Sequence, residues 1–129
     1  KELLLQAPTM SGKVRGKMSE AKEFVGPLLG RDRVQSYAKY LLRSGRIKKV
    51  YLPFIEEVLG RIGYVPEKIL DLGTGPGFLA MEFAKKLPYS QVVGLDLSND
   101  MLAYAKREAK KEGLKNISFF FGRCSGNAF

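Results

Sequence analysis

The chain has no histidine, no tryptophan and a single cysteine, Cys124, among its 129 residues. Without an imidazole, no Ser-His or Cys-His nucleophile pair can be assembled. One thiol and no histidine also leave no zinc site built on nitrogen and sulfur ligands. A lone cysteine cannot form an internal disulfide, which fits a reducing compartment. No basic titratable partner accompanies Cys124 in the sequence, so it reads as an incidental thiol rather than a nucleophile. Long apolar runs are missing as well. Nothing approaches the ~20 residues of a membrane helix, and Leu3-Leu4-Leu5 is too short for a signal-peptide core. The expectation is a cytoplasmic protein with no membrane span. Acidic residues are outnumbered, 13 against 22 Lys and Arg, for a net charge of +9. Residues 1–66 carry 13 of the basic residues against 6 acidic ones. These charges are scattered rather than blocked, which describes a solvated surface better than a nucleic-acid patch. Nucleic acid remains a possible partner without a recognisable binding module to support it.

What is present falls into two parts. Residues 1–63 read as a basic, helical N-terminal region. Its first 18 residues, with Pro8, Gly12 and Gly16, show no period and are expected to form a loose arm. Ser19 can cap a short helix that breaks at Gly26-Pro27. Asp32 can cap a better one, with Val34, Tyr37, Ala38, Leu41 and Leu42 on one stripe, ending near Gly45. A further helical set runs from Ile47 to Leu59, interrupted by Pro53, which either opens its second part or kinks the whole. The tyrosines Tyr37, Tyr40 and Tyr51 read first as amphipathic core residues.

Residues 64–129 have a different character. Lys68–Leu72 reads as a buried strand, Gly73–Gly77 as a tight turn and Phe78–Leu87 as a helix stopped by Pro88. Gln91–Asp96 is a second strand. Ser98 caps a helix that runs to about Glu112, and Ile117–Phe121 is a third strand. This alternation predicts an α/β fold: a Rossmann-like parallel sheet with flanking helices, preceded by the helical region.

The turn reads D-L-G-T-G-P-G over residues 71–77. Glycine admits backbone angles closed to other residues and holds no side chain between the backbone and a ligand. The amides of the turn and of the helix start are then expected to donate to the polar end of a ligand. A dinucleotide turn spaces its glycines G-x-G-x-x-G, whereas here Gly77 comes one residue early. Asp71 stands where a dinucleotide strand carries an apolar residue, and it suits a ligand with an ammonium. Asp96 ends the next strand, near the spacing at which an acid accepts bonds from ribose hydroxyls. An ionised carboxylate only accepts, so it can take two such donors.

Residues 69–80, I-L-D-L-G-T-G-P-G-F-L-A, and 92–98, V-V-G-L-D-L-S, resemble successive motifs of class I S-adenosylmethionine (SAM)-dependent methyltransferases. Residues 94–106, G-L-D-L-S-N-D-M-L-A-Y-A-K, are similar to the small-molecule branch that includes quinone-biosynthesis enzymes. The resemblance implies methyl transfer from SAM to a small-molecule acceptor, leaving S-adenosylhomocysteine. It implies that Asp71 lies near the methionine end, that Gly73, Thr74, Gly75 and Gly77 wrap the methionine and ribose, that Asp96 holds the ribose hydroxyls, and that Leu97 and Met101 pack on the adenine. It also puts Tyr37, Tyr40 and Tyr51 where the family often builds a lid. No catalytic base is nominated, because a sulfonium is already a good leaving group and alignment carries the reaction.

Two departures qualify the resemblance. The acid that often follows the third strand is replaced by Gly122-Arg123-Cys124. The chain, which has no starting Met, also supplies three strands where the family has seven. The expectation is an incomplete half-domain, a truncated product, an excised fragment or the ordered part of something longer, with strand 68–72 as an unpaired edge open to an oligomeric contact. A non-catalytic SAM-binding or interaction fragment and an RNA methyltransferase are the alternatives.

Overall fold

A computed structural model describes residues 2–6 and 30–122 of the chain. The described strands are β1 (Glu2–Gln6), β2 (Lys68–Leu72), β3 (Gln91–Asp96) and β4 (Ile117–Phe121), and the helices are α1 (Arg31–Arg43), α2 (Leu52–Ile62), α3 (Phe78–Lys86) and α4 (Asn99–Lys111). A π-helical turn, Ile47–Tyr51, leads into α2. The strands form one parallel sheet in the order β1-β2-β3-β4. Parallel neighbours need a crossover, and α3 and α4 provide those between β2, β3 and β4.

The expected segments of the α/β part are present. Strands β2, β3 and β4 have the bounds read from the sequence. Ser98 caps α4, its hydroxyl accepting from the Met101 amide at 3.2 Å. The α4 stripe Met101, Leu102, Ala105 and Ala109 is buried, as are Leu79 and Phe83 of α3. At the far end of the sheet, the Asn116 side-chain amide donates to the carbonyls of Ala84, Leu87 and Ser90, and the Ser90 hydroxyl donates to that of Pro66. These bonds satisfy buried polar groups where helices and strands meet.

Three expectations are corrected. Residues 2–6 are a strand, not part of a loose arm, and they pair with β2 from Glu2↔Lys68 to Gln6↔Leu72. The edge of strand 68–72 is therefore covered, and the oligomeric contact expected there loses its surface. Three leucines in a row carry no usable period, so only pairing with β2 reveals them as a strand. Asp32 lies in the first turn of α1 and is not its cap; Gly30 holds that position. The Gly30 amide instead donates to Asp100 Oδ2 at 2.9 Å, which ties the start of α1 to the start of α4. The third correction concerns the glycine turn and follows below. The helix expected between Ser19 and Pro27 lies outside the described residues, as do Arg123 and Cys124.

Pro53 sits in the first turn of α2, as anticipated. The preceding turn widens, with the Leu52 amide bonding to the Ile47 carbonyl. A proline ring crowds the carbonyl four residues back, here that of Lys49, and a wider turn relieves this. Ala38 and Leu41 of α1 and Ile55 of α2 join the same core as Ile69, Phe83, Val92 and Phe119. Among the described residues, no helix is long and apolar enough to cross a membrane.

Candidate functional site

The site lies at the carboxyl end of β2, where ligands bind in open α/β sheets. In the sheet register Asp71 falls between Leu5 of β1 and Gly94 of β3. A carboxyl group thus sits in an apolar row, only 1% exposed. Thr74 Oγ1 donates to Asp71 Oδ2 at 2.9 Å. Asp71 Oδ1 is buried with no hydrogen-bond partner. Burial pushes this carboxyl up to about 6, the Thr74 bond pulls it down and the negative charge of Asp96 pushes it up.

The turn that follows is held from within. The Thr74 amide bonds to the Leu95 carbonyl at 2.9 Å, the Gly77 amide to the Thr74 carbonyl at 3.0 Å, and the Gly75 amide to Asp96 Oδ2 at 2.8 Å. Residue 76 is proline and has no amide hydrogen. For Thr74, Gly75 and Gly77 the expectation that the amides await a ligand is therefore corrected: these three brace the loop against β3 and against one another.

A cleft of about 280 Å³ opens above the turn. Asp71, Gly73, Thr74 and Gly75 line it from the sheet side, and Tyr37, Arg46 and Tyr51 from the helical segment. The tyrosines are half-buried and their hydroxyls are raised above the ordinary value, chiefly by burial. Tyr51 feels the charges of both Arg46 and Asp71, and Tyr37 those of Arg46 and Asp96. Tyr37 and Tyr51 pack against the hydrophobic core, as expected of amphipathic core residues, and also line the cleft, while Tyr40 is exposed and lies outside the lining. Arg46 went unnoticed in the sequence. Its one signal there is a cation beside the helix-breaking Gly45, which is too common a pattern to single it out.

Four expected site residues lie outside the lining. Asp96 is joined to it through Gly75, and its Oδ1 accepts from the Ser98 amide at 2.9 Å. A carboxylate offers about four acceptor positions, so two remain for ligand hydroxyls. Gly77 faces inward: a Cβ there would come within 2.8 Å of the Ala105 Cβ and 2.9 Å of the Phe119 ring. It allows α3 and α4 to close on the sheet. Leu97 is 61% exposed, whereas Met101 is buried. Among the described residues, no group of His, Cys, Asp or Glu could hold a metal ion.

Residues 66–125 match the family model of a methyltransferase domain. The match covers 60 of the chain's 129 residues. The demethylmenaquinone methyltransferase of Thermus thermophilus is 46% identical over 50 residues, which is 39% of this chain and 23% of that protein. The release factor glutamine methyltransferase of Escherichia coli is 34% identical over 79 residues, 58% of this chain and 28% of that protein. The chain thus spans about a quarter of the length of these relatives. A solved structure of a putative S-adenosyl-L-methionine-dependent methyltransferase from Methanococcus maripaludis superposes with a TM-score of 0.58, covering 71% of this chain and 41% of that one at 22% identity. That likeness shows a shared Rossmann-like fold.

Proposed function

We propose that this chain provides the SAM-binding portion of a methyltransferase whose acceptor is a small molecule. The observation that carries the reading is the buried Asp71 carboxyl, with one oxygen held by Thr74 and the other unpartnered. An unpaired buried acceptor is costly, and a ligand ammonium would satisfy it. Asp96, fixed by the Gly75 and Ser98 amides, keeps acceptor capacity for the ribose hydroxyls. The two acceptor carboxylates therefore fit the cofactor at both its amino-acid end and its sugar.

When bound, SAM supplies an electrophilic methyl group on a sulfonium. The chain's own residues bind and orient. Asp71 neutralises the ammonium, the braced turn fixes the distance between Asp71 and Asp96, and Tyr37 and Tyr51 cover the cleft and exclude water. Alignment of this kind can supply much of the barrier reduction in a bimolecular displacement.

The small-molecule acceptor is supported by the likeness of residues 94–106 to quinone-biosynthesis enzymes and by the identity to the demethylmenaquinone enzyme. A protein side chain is the second reading, favoured by the identity to the release factor enzyme. Calorimetry with S-adenosylhomocysteine tests the cofactor site, and saturable one-site binding is expected. Transfer of labelled methyl from SAM to panels of quinols and of glutamine-containing peptides then separates the two acceptors. A folded chain that binds no S-adenosylhomocysteine refutes the reading.

A further inference from the structure

Between Asp32 and Glu56 the chain carries six cations, Arg33, Lys39, Arg43, Arg46, Lys48 and Lys49, and no acid. Charges that look scattered over residues 1–66 are thus of one sign along most of α1, the π-helical turn and the start of α2. Lys39, Arg43, Lys48 and Lys49 are exposed, and among the described residues they form no ion pair. Aliphatic side chains stand among them: Leu42 is 49% exposed, Val50 44% and Leu52 39%. Val34, Ala38 and Leu41 already supply the buried face of α1, so its packing does not account for Leu42. Tyr40 is exposed on the same helix. Gly45 joins the two stretches, and a Cβ there would lie 3.6 Å from Lys49 Cε, so the Lys49 stem folds back over the end of α1. Val50 also lines the cleft, which carries the patch to the cleft's rim.

We propose that α1, the π-helical turn and the start of α2 form a docking surface for an anionic lipid bilayer. Exposed aliphatic groups gain free energy by leaving water, and the boundary between headgroups and acyl chains accepts them. Lysine and arginine stems lie along that boundary and bring their charges to the lipid phosphates. A tyrosine, apolar in its ring and polar at its tip, suits the same boundary. A surface of one charge sign matches a partner of the other, and the acid-free stretch from Arg33 to Ile55 has that character. The aliphatic side chains favour lipid over nucleic acid, whose phosphates would engage the cations and leave Leu42 and Leu52 in water. Docking sets the rim of the cleft against the bilayer, so that an apolar acceptor dissolved in the lipid reaches the cleft without crossing water. That orientation rests on the reading of the cleft as a SAM site; the docking itself does not.

The test is flotation of the full chain with vesicles of phosphatidylcholine, alone or mixed with phosphatidylglycerol. Binding is expected to the mixed vesicles only, and it should weaken as salt rises. Arg43→Gln, Lys48→Gln and Lys49→Gln combined should weaken it on the order of 100-fold, at about fivefold for each cation near the surface. Leu42→Ser with Leu52→Ser should weaken it about 10-fold, through lost apolar burial. Both leucines lie outside the cleft lining, so this pair should leave S-adenosylhomocysteine binding unchanged, and circular dichroism checks that each variant is folded. The chain has no tryptophan, so Leu42→Trp supplies a single reporter whose emission should shift to the blue on mixed vesicles. No binding to mixed vesicles, or binding that either set of substitutions leaves intact, overturns the proposal. Binding of single-stranded RNA without binding of vesicles, lost in the charge variant, overturns it in favour of nucleic acid. A chain that docks on mixed vesicles as described but binds no S-adenosylhomocysteine overturns the cofactor site and leaves the docking surface standing.

Discussion

Gly94 lies directly beneath the Thr74 side chain: a Cβ at position 94 would come within 2.8 Å of Thr74 Oγ1 and 2.7 Å of the Phe119 ring. The missing side chain on β3 is what lets Thr74 lean across the sheet and reach Asp71, its neighbour in register with Gly94. The polar contact in the cleft thus depends on an absent methyl group one strand away. Gly94→Ala should displace Thr74 or Phe119, at a cost of about 1–3 kcal/mol for overpacking. Denaturant unfolding gives the cost, and calorimetry should show weaker S-adenosylhomocysteine binding. Wild-type values for both would mean that the Thr74–Asp71 contact is not held by this packing.

The state of Asp71 sets two opposite responses to pH. Its folded value of about 6 lies above the ordinary 3.8, so the protonated form favours folding. That contribution is fully present below about 3.8 and is lost as pH rises through about 6. The ligand-free chain should lose on the order of 3 kcal/mol from this source between those limits. Ligand binding should run the other way, strengthening as pH rises through about 6, because the ammonium needs an ionised partner. Calorimetry above and below that pH, in buffers of differing ionisation heat, should detect proton release on binding. Asp71→Asn should flatten both profiles, and a profile that survives the substitution would assign the titration to another group.

Asp96 bridges the turn and the start of α4, accepting from Gly75 on one oxygen and from the Ser98 amide on the other. Asp96→Ala leaves two amides without their acceptor and should cost about 1–3 kcal/mol in stability. Cofactor affinity should fall by at least roughly tenfold, because the loop bracing and the ribose acceptor are lost together. Asp96→Asn keeps one acceptor oxygen and should fall between. An Asp96→Ala chain that binds as wild type would remove Asp96 from the site.

Strand β1 has a testable energetic role. Leu5 is buried beside Asp71 and belongs to the core. Leu5→Asp would set a second carboxyl against the first in an apolar row, and β1 should detach from β2. A destabilisation of at least about 2 kcal/mol is expected from the buried charge and lost packing. The exposed β2 edge should then promote concentration-dependent association, visible by light scattering with size-exclusion chromatography. A variant that stays monomeric with unchanged stability would show that the pairing contributes little.

The legible part of this protein is the part written in local chemistry. Strands β2, β3 and β4 are apolar runs punctuated by turn residues, Ser98 is a side-chain cap, and the glycines and Asp71 of the turn have an uncommon spacing. Each of these signals acts within a few residues, so the sequence alone determined the α/β order and the place of the candidate site. Other features depend on contacts between distant segments. Leu3-Leu4-Leu5 becomes a strand only because β2 offers unpaired backbone groups 66 residues further on, as the pairing of Glu2 with Lys68 records. Arg46 and Tyr51 reach the cleft only because α1, the π turn and α2 fold against α3 and α4. Two turn amides that read as free, those of Thr74 and Gly75, are taken by Leu95 and Asp96 once β3 lies alongside β2. Tertiary structure decided these because hydrogen bonds and burial depend on distance in space, which a local pattern of residues does not encode.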